Sequence, residues 1–312
     1  MAKEKSHGVI IGAGIMGTDI ASIFASGGWH VHMVEPADPS RATFPARLAA
    51  SLKTLGAKRG KSFFSIYSSL KDIPWKNIRM VVECVPENLS LKQKVFAELE
   101  SLAPAEIPLT SNSSGLPISQ IGQGLATQTR MIGLHFFMPA HLVPLVEVIS
   151  SEMTRPSLAD EVADIMRRLG KRPVLVRRDI TGFLANRIQH ALMREAFDLI
   201  EKGIASPADI DAAVRYGFGF RYIAAGPLLQ KDLSGLDSQY AAAVSIYPDL
   251  CNAREPSRFL REKVTAGKFG IKSGQGIYEW TEEKVTRQKA LYESKLTRAL
   301  VLLKDGEEEV GS

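Results

Sequence analysis

The sequence predicts an α/β region with a mostly parallel sheet over residues 1–180, followed by an all-α region over 181–312. Three observations carry this division. Short apolar runs alternate with helix-length segments through the first half, the pattern of a parallel sheet covered by helices. A glycine-rich turn joins the first such run to the first helical segment. From Thr181 onward the β-rich runs stop and an apolar spacing of helical period takes over.

The elements follow in order. GVII at 8–11 reads as a short buried strand, GAGIMG at 12–17 as a turn, and residues 15–26 as a helix that Gly27–Gly28 closes. HVHMV at 30–34 reads as a second strand, ending at Glu35. Residues 43–59 are expected to be helical, 78–85 a buried strand, 90–102 a helix, and 107–110 a strand running into SNSSG. MIGLHFF at 131–137 and VPLVEVI at 143–149 are two further strands, 158–169 a helix, and PVLVRR at 173–178 the last strand. In the second half, helices are expected over 182–202, from Ser206–Pro207 onward, over 227–245 with interruptions at Lys231–Asp232 and at Gly235, over 256–266 and over 285–303. Ser206 followed by Pro207 is a helix start, because the serine caps and the proline needs no N–H partner at the first position. No Pro-, Gly- or Ser-rich linker separates the halves, which predicts a close cleft between them.

Strand, glycine turn, helix, strand and acid together give a common motif its meaning. Gly12 permits the tight turn, Gly14 lets the backbone approach a pyrophosphate, and Gly17 lets the helix lie close to the sheet. Unpaired N–H groups at the helix start then face the phosphates. Glu35 accepts from a ribose 2′-hydroxyl and repels a 2′-phosphate, so NAD is expected over NADP; Pro36 and Arg41 argue the other way, since a nearby arginine accommodates a 2′-phosphate. Among the histidines, His7, His30 and His32 lie in or beside early strands and read as structural, and His190 lies within a helix. His141 stays ambiguous. His135 lies near the end of a strand whose end should face the cofactor, and Glu147 interrupts the next apolar strand, LVEVI. A buried acid there requires a partner. A His–Glu pair suits a general base whose tautomer the carboxylate fixes; a satisfied core histidine is the competing reading.

Composition limits the alternatives. Lys+Arg is 39 against 34 Asp+Glu, net +5, and aromatic content is 7%. That mild, scattered excess suits a phosphate-bearing cofactor or an acidic substrate and gives no support to nucleic-acid binding. Arg167, Arg168, Lys171 and Arg172, then Arg177 and Arg178, form a local basic cluster, read as a solvated helix end and strand rim. Cys84 and Cys251 fit no metal spacing, so no metal is expected and the thiols read as free. MAKEKSH is polar, and no apolar stretch is long enough to span a bilayer. A cytoplasmic protein without membrane attachment is expected.

Several segments, in order, carry a resemblance: GAGIMG at 12–17, VVECVPENLSLK at 81–92, SNSSGL at 111–116, GLHFFMPAHLVPLVEVI at 133–149, TGFLANRI at 181–188 and KFGIKSGQGIYEW at 268–280. The chain resembles the 3-hydroxyacyl-CoA dehydrogenase family over nearly its full length. The resemblance implies an NAD-binding Rossmann domain at 1–180 and a helical substrate and dimerisation domain at 181–312, forming a homodimer. It implies that His135 is the base, Glu147 its orienting acid, Ser114 the contact to the substrate hydroxyl, and Asn186 a residue near substrate and nicotinamide. The acid beside the nicotinamide is expected at Glu87, with Glu83 the rival. Gly12, Gly14, Ile15, Met16, Gly17, Glu35, Lys92, Ser111 and Asn112 are expected to line the cofactor, with Asn88 on the same edge.

Two departures bear on the substrate. Acyl-CoA members read HFFNP where this chain has Met138, and their helical region between the second strand and VVE is longer. Lys53, Lys58, Arg59 and Lys61 remain there, read as a solvated helix face, with contact to a phosphate the alternative. GFGFRYIAAGPL at 217–228 is similar to the L-gulonate 3-dehydrogenase and lambda-crystallin branch. Arg221 in that stretch suits a free carboxylate, which a thioester lacks. A helix-end or interdomain salt bridge is the structural alternative for Arg221. The 285–303 helix and the KFGIKSG ending resemble bacterial relatives that act on a pyridine carboxylate of vitamin B6 breakdown. The expected activity is therefore NAD-dependent oxidation of the hydroxyl of a small free 3-hydroxy carboxylic acid, L-gulonate- or 3-hydroxybutyrate-like. The alternatives are a 3-hydroxyacyl-CoA dehydrogenase, a pyridine-carboxylate or carnitine dehydrogenase, and a crystallin-like structural protein that binds NAD.

Overall fold

A computed structural model describes residues 6–57 and 63–304. The chain divides into two compact units, Met1–Asn186 and Arg187–Ser312.

The first unit alternates strand and helix. Its elements are β1 (His7–Ile11), α1 (Ile15–Ser26), β2 (His30–Val34), α2 (Asp38–Thr54), β3 (Phe64–Tyr67), β4 (Ile78–Glu83), α3 (Leu89–Leu102), β5 (Leu109–Ser111), α4 (Ile118–Ile121), β6 (Met131–Phe136), β7 (Leu145–Ile149), α5 (Leu158–Arg168) and β8 (Arg172–Val176). One eight-stranded sheet runs in the order β3-β2-β1-β4-β5-β6-β7-β8. The β6–β7 pair is antiparallel, and every other neighbouring pair is parallel. This is a Rossmann-like doubly wound domain. Strand order reverses at β1 and β4, so the ligand crevice lies beyond the carboxyl ends of those strands.

Alternation along the strands divides the core between two faces. Ile10, Met80, Val82, Ile132 and Leu134 join α1, α2 and α5 in one cluster. Val9, Ile11, Val81, Leu109 and Met131 join α3 and α4 in the other. Burial on both faces explains why these strands read as continuous apolar runs in the sequence.

Three elements differ from expectation. The helix expected over 43–59 begins at Asp38, because Pro39 sits in its first turn, where its missing N–H has no partner to lose. It ends at Thr54, before Gly56 at φ 66°. Residues 58 and 59 of that expected helix lie outside the described residues, as does Lys61. Strand β3 was not anticipated: FSIY is short and half-buried, and its pairing to β2 is a tertiary contact. The helix expected from 182 begins at Ala185, because Gly182 and Phe183 hold left-handed backbone at φ 76° and 48°. The interruption expected at Gly235 within 227–245 is a full break into two helices, with Gly235 at φ 94°.

The second unit is helical: α6 (Ala185–Glu201, entering from the first unit), α7 (Pro207–Tyr216), α8 (Phe218–Arg221), α9 (Pro227–Ser234), α10 (Leu236–Ile246), α11 (Arg258–Thr265) and α12 (Glu282–Lys304). Ser206 caps α7, its hydroxyl accepting from Asp209 N–H. Among the described residues of this unit only Ala196 and Gly276 are buried. Large apolar side chains such as Leu228, Leu233, Tyr240 and Tyr216 are 84, 76, 73 and 75% exposed. No helix of the described residues is long and apolar enough to cross a membrane.

Candidate active site

The glycine turn opens at the end of β1. Gly12 is at φ 99°, and a Cβ there would meet the Cys84 carbonyl oxygen at 2.8 Å. A Cβ on Gly17 would lie 1.8 Å from the Gly12 carbonyl oxygen, so helix α1 can approach the turn only without a side chain there. Gly14 differs: a Cβ would meet nothing within 4 Å. That open space is room for a pyrophosphate, beside the free N–H groups at the start of α1, where Ile15 and Met16 lie. Glu35 stands at the end of β2 with one oxygen accepting from Ala13 N–H at 2.8 Å and the other from Ala37 N–H at 2.9 Å. Each oxygen keeps lone-pair capacity for a ribose hydroxyl. Arg41 does not reach past it: its guanidinium donates to the Glu35 and Pro36 carbonyls and pairs with Asp38.

At the carboxyl end of β4, Glu83 is fully buried. It accepts from Lys92 Nζ at 2.8 and 3.0 Å, from Ser111 Oγ at 2.6 Å and from Val85 N–H at 2.6 Å. Lys92 Nζ also donates to the Val85 carbonyl and lies 3.5 Å from Glu87. Glu87 is the more open acid, its side chain 40% exposed. It accepts from Ser113 Oγ at 2.6 Å, Ser114 N–H at 3.1 Å and Gly115 N–H at 3.0 Å. Burial pushes its pKa up; the Ser113 hydroxyl, the Lys92 charge and the Gly115 N–H outweigh that and hold it below the usual carboxylate range. The side-chain polar atoms of Ser111 and Lys92, two residues expected along the cofactor, are buried and bonded to Glu83. Asn88 caps α3 through Leu91 N–H.

β6 and β7 bring the chemistry together. His135 and Glu147 are direct partners across the antiparallel pair, 4 and 0% exposed. His135 Nδ1 lies 2.8 Å from Glu147 Oε2. The second Glu147 oxygen accepts from Leu184 N–H at 3.0 Å and Ala185 N–H at 2.7 Å, at the start of α6. Burial raises the Glu147 pKa, but the hydrogen bonds from His135 and Ala185 outweigh it, and the net shift is downward. An ionised acceptor on Nδ1 leaves Nε2 as the imidazole's basic nitrogen, and Nε2 makes no hydrogen bond among the described residues. The rings of Phe137 and Phe183 lie 4.4 and 5.7 Å from the imidazole. The Asn112 side chain accepts from Phe136 N–H, fixing the backbone next to His135.

Asn186 follows Ala185 and donates to the Ser114 carbonyl at 3.2 Å; the Ser114 hydroxyl lies 3.4 Å from Glu87. His135, Glu147, Asn186, Ser114, Glu87, Lys92, Glu83 and Ser111 thus form one chain of contacts within the first unit. Arg221 lies in the second unit, exposed at the end of α8, and its guanidinium makes no hydrogen bond or ion pair among the described residues.

His7, His30 and His32 cluster at the amino-terminal end of β1 and β2, opposite the crevice. Their ring centroids are 4.8 to 5.2 Å apart. His32 is buried and bonds Tyr67, and burial with its two histidine neighbours lowers its pKa to about 4.

Two ionisable groups escaped the sequence reading. Asp19, buried in α1, accepts from Ser51 Oγ and Ala140 N–H, and His141 Nδ1 approaches it to 3.0 Å without hydrogen-bond alignment. Lys171, expected in solvent, is 6% exposed and donates to the Ala140 and Val143 carbonyls at 2.5 and 2.8 Å. Burial pushes its pKa down to about 8, with Asp19 opposing the shift. Together they hold the loop between the strands of His135 and Glu147. An acid inside the apolar stretch of α1 was the signal for Asp19; Lys171 gave none.

Two family descriptions cover most of the chain. Residues 8–180 match the 3-hydroxyacyl-CoA dehydrogenase NAD-binding domain, and residues 182–280 match the C-terminal domain of the same family. The chain belongs to the 3-hydroxyacyl-CoA dehydrogenase family. As a member it is an NAD-dependent oxidoreductase acting on a CH–OH group. The 5-formyl-3-hydroxy-2-methylpyridine 4-carboxylate 5-dehydrogenase of Mesorhizobium japonicum is 34% identical over 96% of this chain and 98% of its own length. Rabbit (Oryctolagus cuniculus) lambda-crystallin is 37% identical over 70% of this chain and 72% of its own. Among solved structures of the family, an NAD⁺-dependent dismutase with the same pyridine-carboxylate 5-dehydrogenase activity superposes with TM-score 0.91 at 32% identity, over 97% of this chain and all of the other. The (S)-3-hydroxybutyryl-CoA dehydrogenase of Ralstonia eutropha superposes at 0.72 and 30% identity, over 89% of this chain and all of the other.

Proposed function

We propose that this protein oxidises the hydroxyl of a small free carboxylic acid and that CoA thioesters are poor substrates. The observation that carries the reading is the extent of the likeness to a free-acid dehydrogenase. It covers 96% of this chain, although the family's C-terminal match stops at residue 280 and helix α12 begins at Glu282. Two substrates fit the class: an aliphatic 3-hydroxy acid resembling L-gulonate or 3-hydroxybutyrate, and a pyridine carboxylate. The full-length likeness favours the second. A hydrated aldehyde offers the same H–C–O–H unit as a secondary alcohol, so the same residues serve both.

Bound NAD supplies the hydride acceptor. The turn at Gly12, Gly14 and Gly17, with the N–H groups of Ile15 and Met16, holds the pyrophosphate, and Glu35 holds the ribose hydroxyls. Nε2 of His135 takes the hydroxyl proton as the C–H bond breaks. Glu147 fixes the Nδ1–H tautomer and stabilises the imidazolium that forms, and with His135 the N–H groups of Ala185 and Leu184 keep it ionised. Ser114 and Asn186 orient the substrate oxygen. Glu87, with Lys92 behind it and Ser111 and Asn112 shaping the adjoining loop, is the acid on the cofactor side. Arg221 pairs with the substrate carboxylate, a role for which its unpaired guanidinium is available. A second copy of the chain covers the second unit, whose exposed leucines and tyrosines leave it almost without a core of its own. The reading places the protein in the cytoplasm, with Cys84 and Cys251 as free thiols.

The test is initial-rate NAD reduction at mildly alkaline pH with 3-hydroxybutyrate, L-gulonate, L-carnitine, a hydroxymethylpyridine carboxylate, its aldehyde, and 3-hydroxybutyryl-CoA. A free acid should exceed the thioester in kcat/KM, and the preferred acid names the substrate branch. A thioester preference refutes the proposal, and NAD binding with no turnover on any substrate assigns a structural role. Light scattering should give a mass near twice 34.1 kDa.

A further inference from the structure

Arg47 of α2 reaches the glycine turn from outside it. Its Nη2 donates to the Ala13 carbonyl at 2.5 Å and contacts the Ser40 carbonyl at 3.3 Å. Nε is buried without a hydrogen-bond partner. Nη1 makes no hydrogen bond among the described residues and is not buried. No carboxylate lies within ion-pair distance of the guanidinium among the described residues. Arg41, by contrast, one turn and a half earlier on the same helix, is paired with Asp38.

A half-buried guanidinium that has only neutral carbonyl partners is an uncompensated cation, and burial without a counter-charge is unfavourable. This one touches Ala13, between the two glycines that form the turn. The N–H of Ala13 is held by Glu35 and its carbonyl by Arg47, so that peptide is fixed from both sides. A phosphate of the dinucleotide would supply the missing counter-charge. Glu35 disfavours a phosphate on the ribose 2′ position, which leaves the pyrophosphate.

We propose that Arg47 is a cofactor-binding residue that fixes the glycine turn through Nη2 and presents Nη1 to the dinucleotide pyrophosphate. The proposal rests on the reading that residues 12–17 hold that pyrophosphate. An arginine in this role adds a cation to a turn that otherwise offers only backbone dipoles, and its planar fork joins protein and ligand in one plane.

The experiment measures NADH affinity by fluorescence, with ADP-ribose, adenosine and NADPH as competitors, for the wild type, Arg47→Met and Arg47→Lys. Folding of each variant is checked by circular dichroism. Arg47→Met should weaken NADH and ADP-ribose by about tenfold or more and leave adenosine unchanged, the loss of one charge-assisted hydrogen bond. Arg47→Lys should recover part of that loss, and it carries the test if the methionine variant does not fold. NADH affinity should depend less on salt in Arg47→Met than in the wild type. Unchanged NADH affinity overturns the proposal. Equal weakening of adenosine overturns it too, because Arg47 would then act only by shaping the turn. A greater loss for NADPH than for NADH overturns the pyrophosphate assignment in favour of the 2′ position. Gly14→Val tests the underlying reading separately: if that variant binds NADH normally, the turn is not the phosphate site, whatever Arg47 does.

Discussion

Replacing Gly14 and Gly17 by alanine, one at a time, should separate binding from folding within four residues. At Gly14 the backbone is at φ −68° and ψ −168°, which alanine adopts freely, and its Cβ meets nothing within 4 Å. Alanine restricts the unfolded chain, a gain of about 0.4–1 kcal/mol. It is also a poorer N-cap than glycine for α1, a loss of about 0.5–1 kcal/mol. The two offset, and Gly14→Ala should melt within a few degrees of the wild type. Its methyl group nevertheless fills the space a phosphate oxygen requires. Losing two charge-assisted backbone hydrogen bonds, about 3 kcal/mol together, should weaken NADH more than about 100-fold. Gly17→Ala behaves in the opposite way. Its Cβ would stand 1.8 Å from the Gly12 carbonyl oxygen, so the helix must move by more than an ångström. Overpacking of that size is destabilising by about 3 kcal/mol or more, beyond the gain of about 1 kcal/mol in helix propensity. That corresponds to a fall in Tm of about 6–12 °C. Thermal circular dichroism and NADH fluorescence titration read the two quantities. A Gly14→Ala protein that binds NADH as tightly as the wild type refutes the phosphate assignment, and a fully stable Gly17→Ala refutes the packing argument.

Other expectations concern the chemistry and the sheet. His135→Ala should keep NADH affinity while turnover falls by about 10²–10⁴-fold; turnover near that of the wild type removes His135 as the base. Arg221→Ala should raise KM sharply for a carboxylate substrate and little for its methyl ester, and equal effects on both would dismiss the carboxylate pairing. His32 titrates near 4 when folded, below its ordinary 6.5, so the unfolded chain binds the extra proton first. Stability from this group is therefore complete above about pH 6.5 and is lost as pH falls towards about 4. Urea denaturation across that window should show the slope in the wild type and a flatter one in His32→Phe; identical slopes would mean the cluster is not its source.

Much of the site was legible because its signals are local. Gly12, Gly14, Gly17 and Glu35 follow from one βαβ unit, where spacing alone dictates backbone geometry. His135 and Glu147 were legible as a pair because an acid inside LVEVI requires a partner, and the antiparallel register supplies it. Glu87 stood ahead of Glu83 through the resemblance alone, since both are acids a few residues apart and neither spacing nor period tells their surroundings. In the fold Glu83 is closed off by Lys92 and Ser111, while Glu87 stays open.

The sequence by itself determined the alternation of strands and helices, the glycine turn with its acid, the change to helices after Thr181, and the capped start of α7. Each depends on a few consecutive residues and their period. Only the tertiary structure decided which groups stand beside Asp19, Arg47 and Lys171. Asp19 meets Ala140 from 121 residues away, and Arg47 meets Ala13 from 34. A charged side chain reads the same in sequence whether solvent or a buried carbonyl surrounds it. What fixes its role is the set of groups that folding brings beside it, and that set belongs to the sheet order and the helix placement.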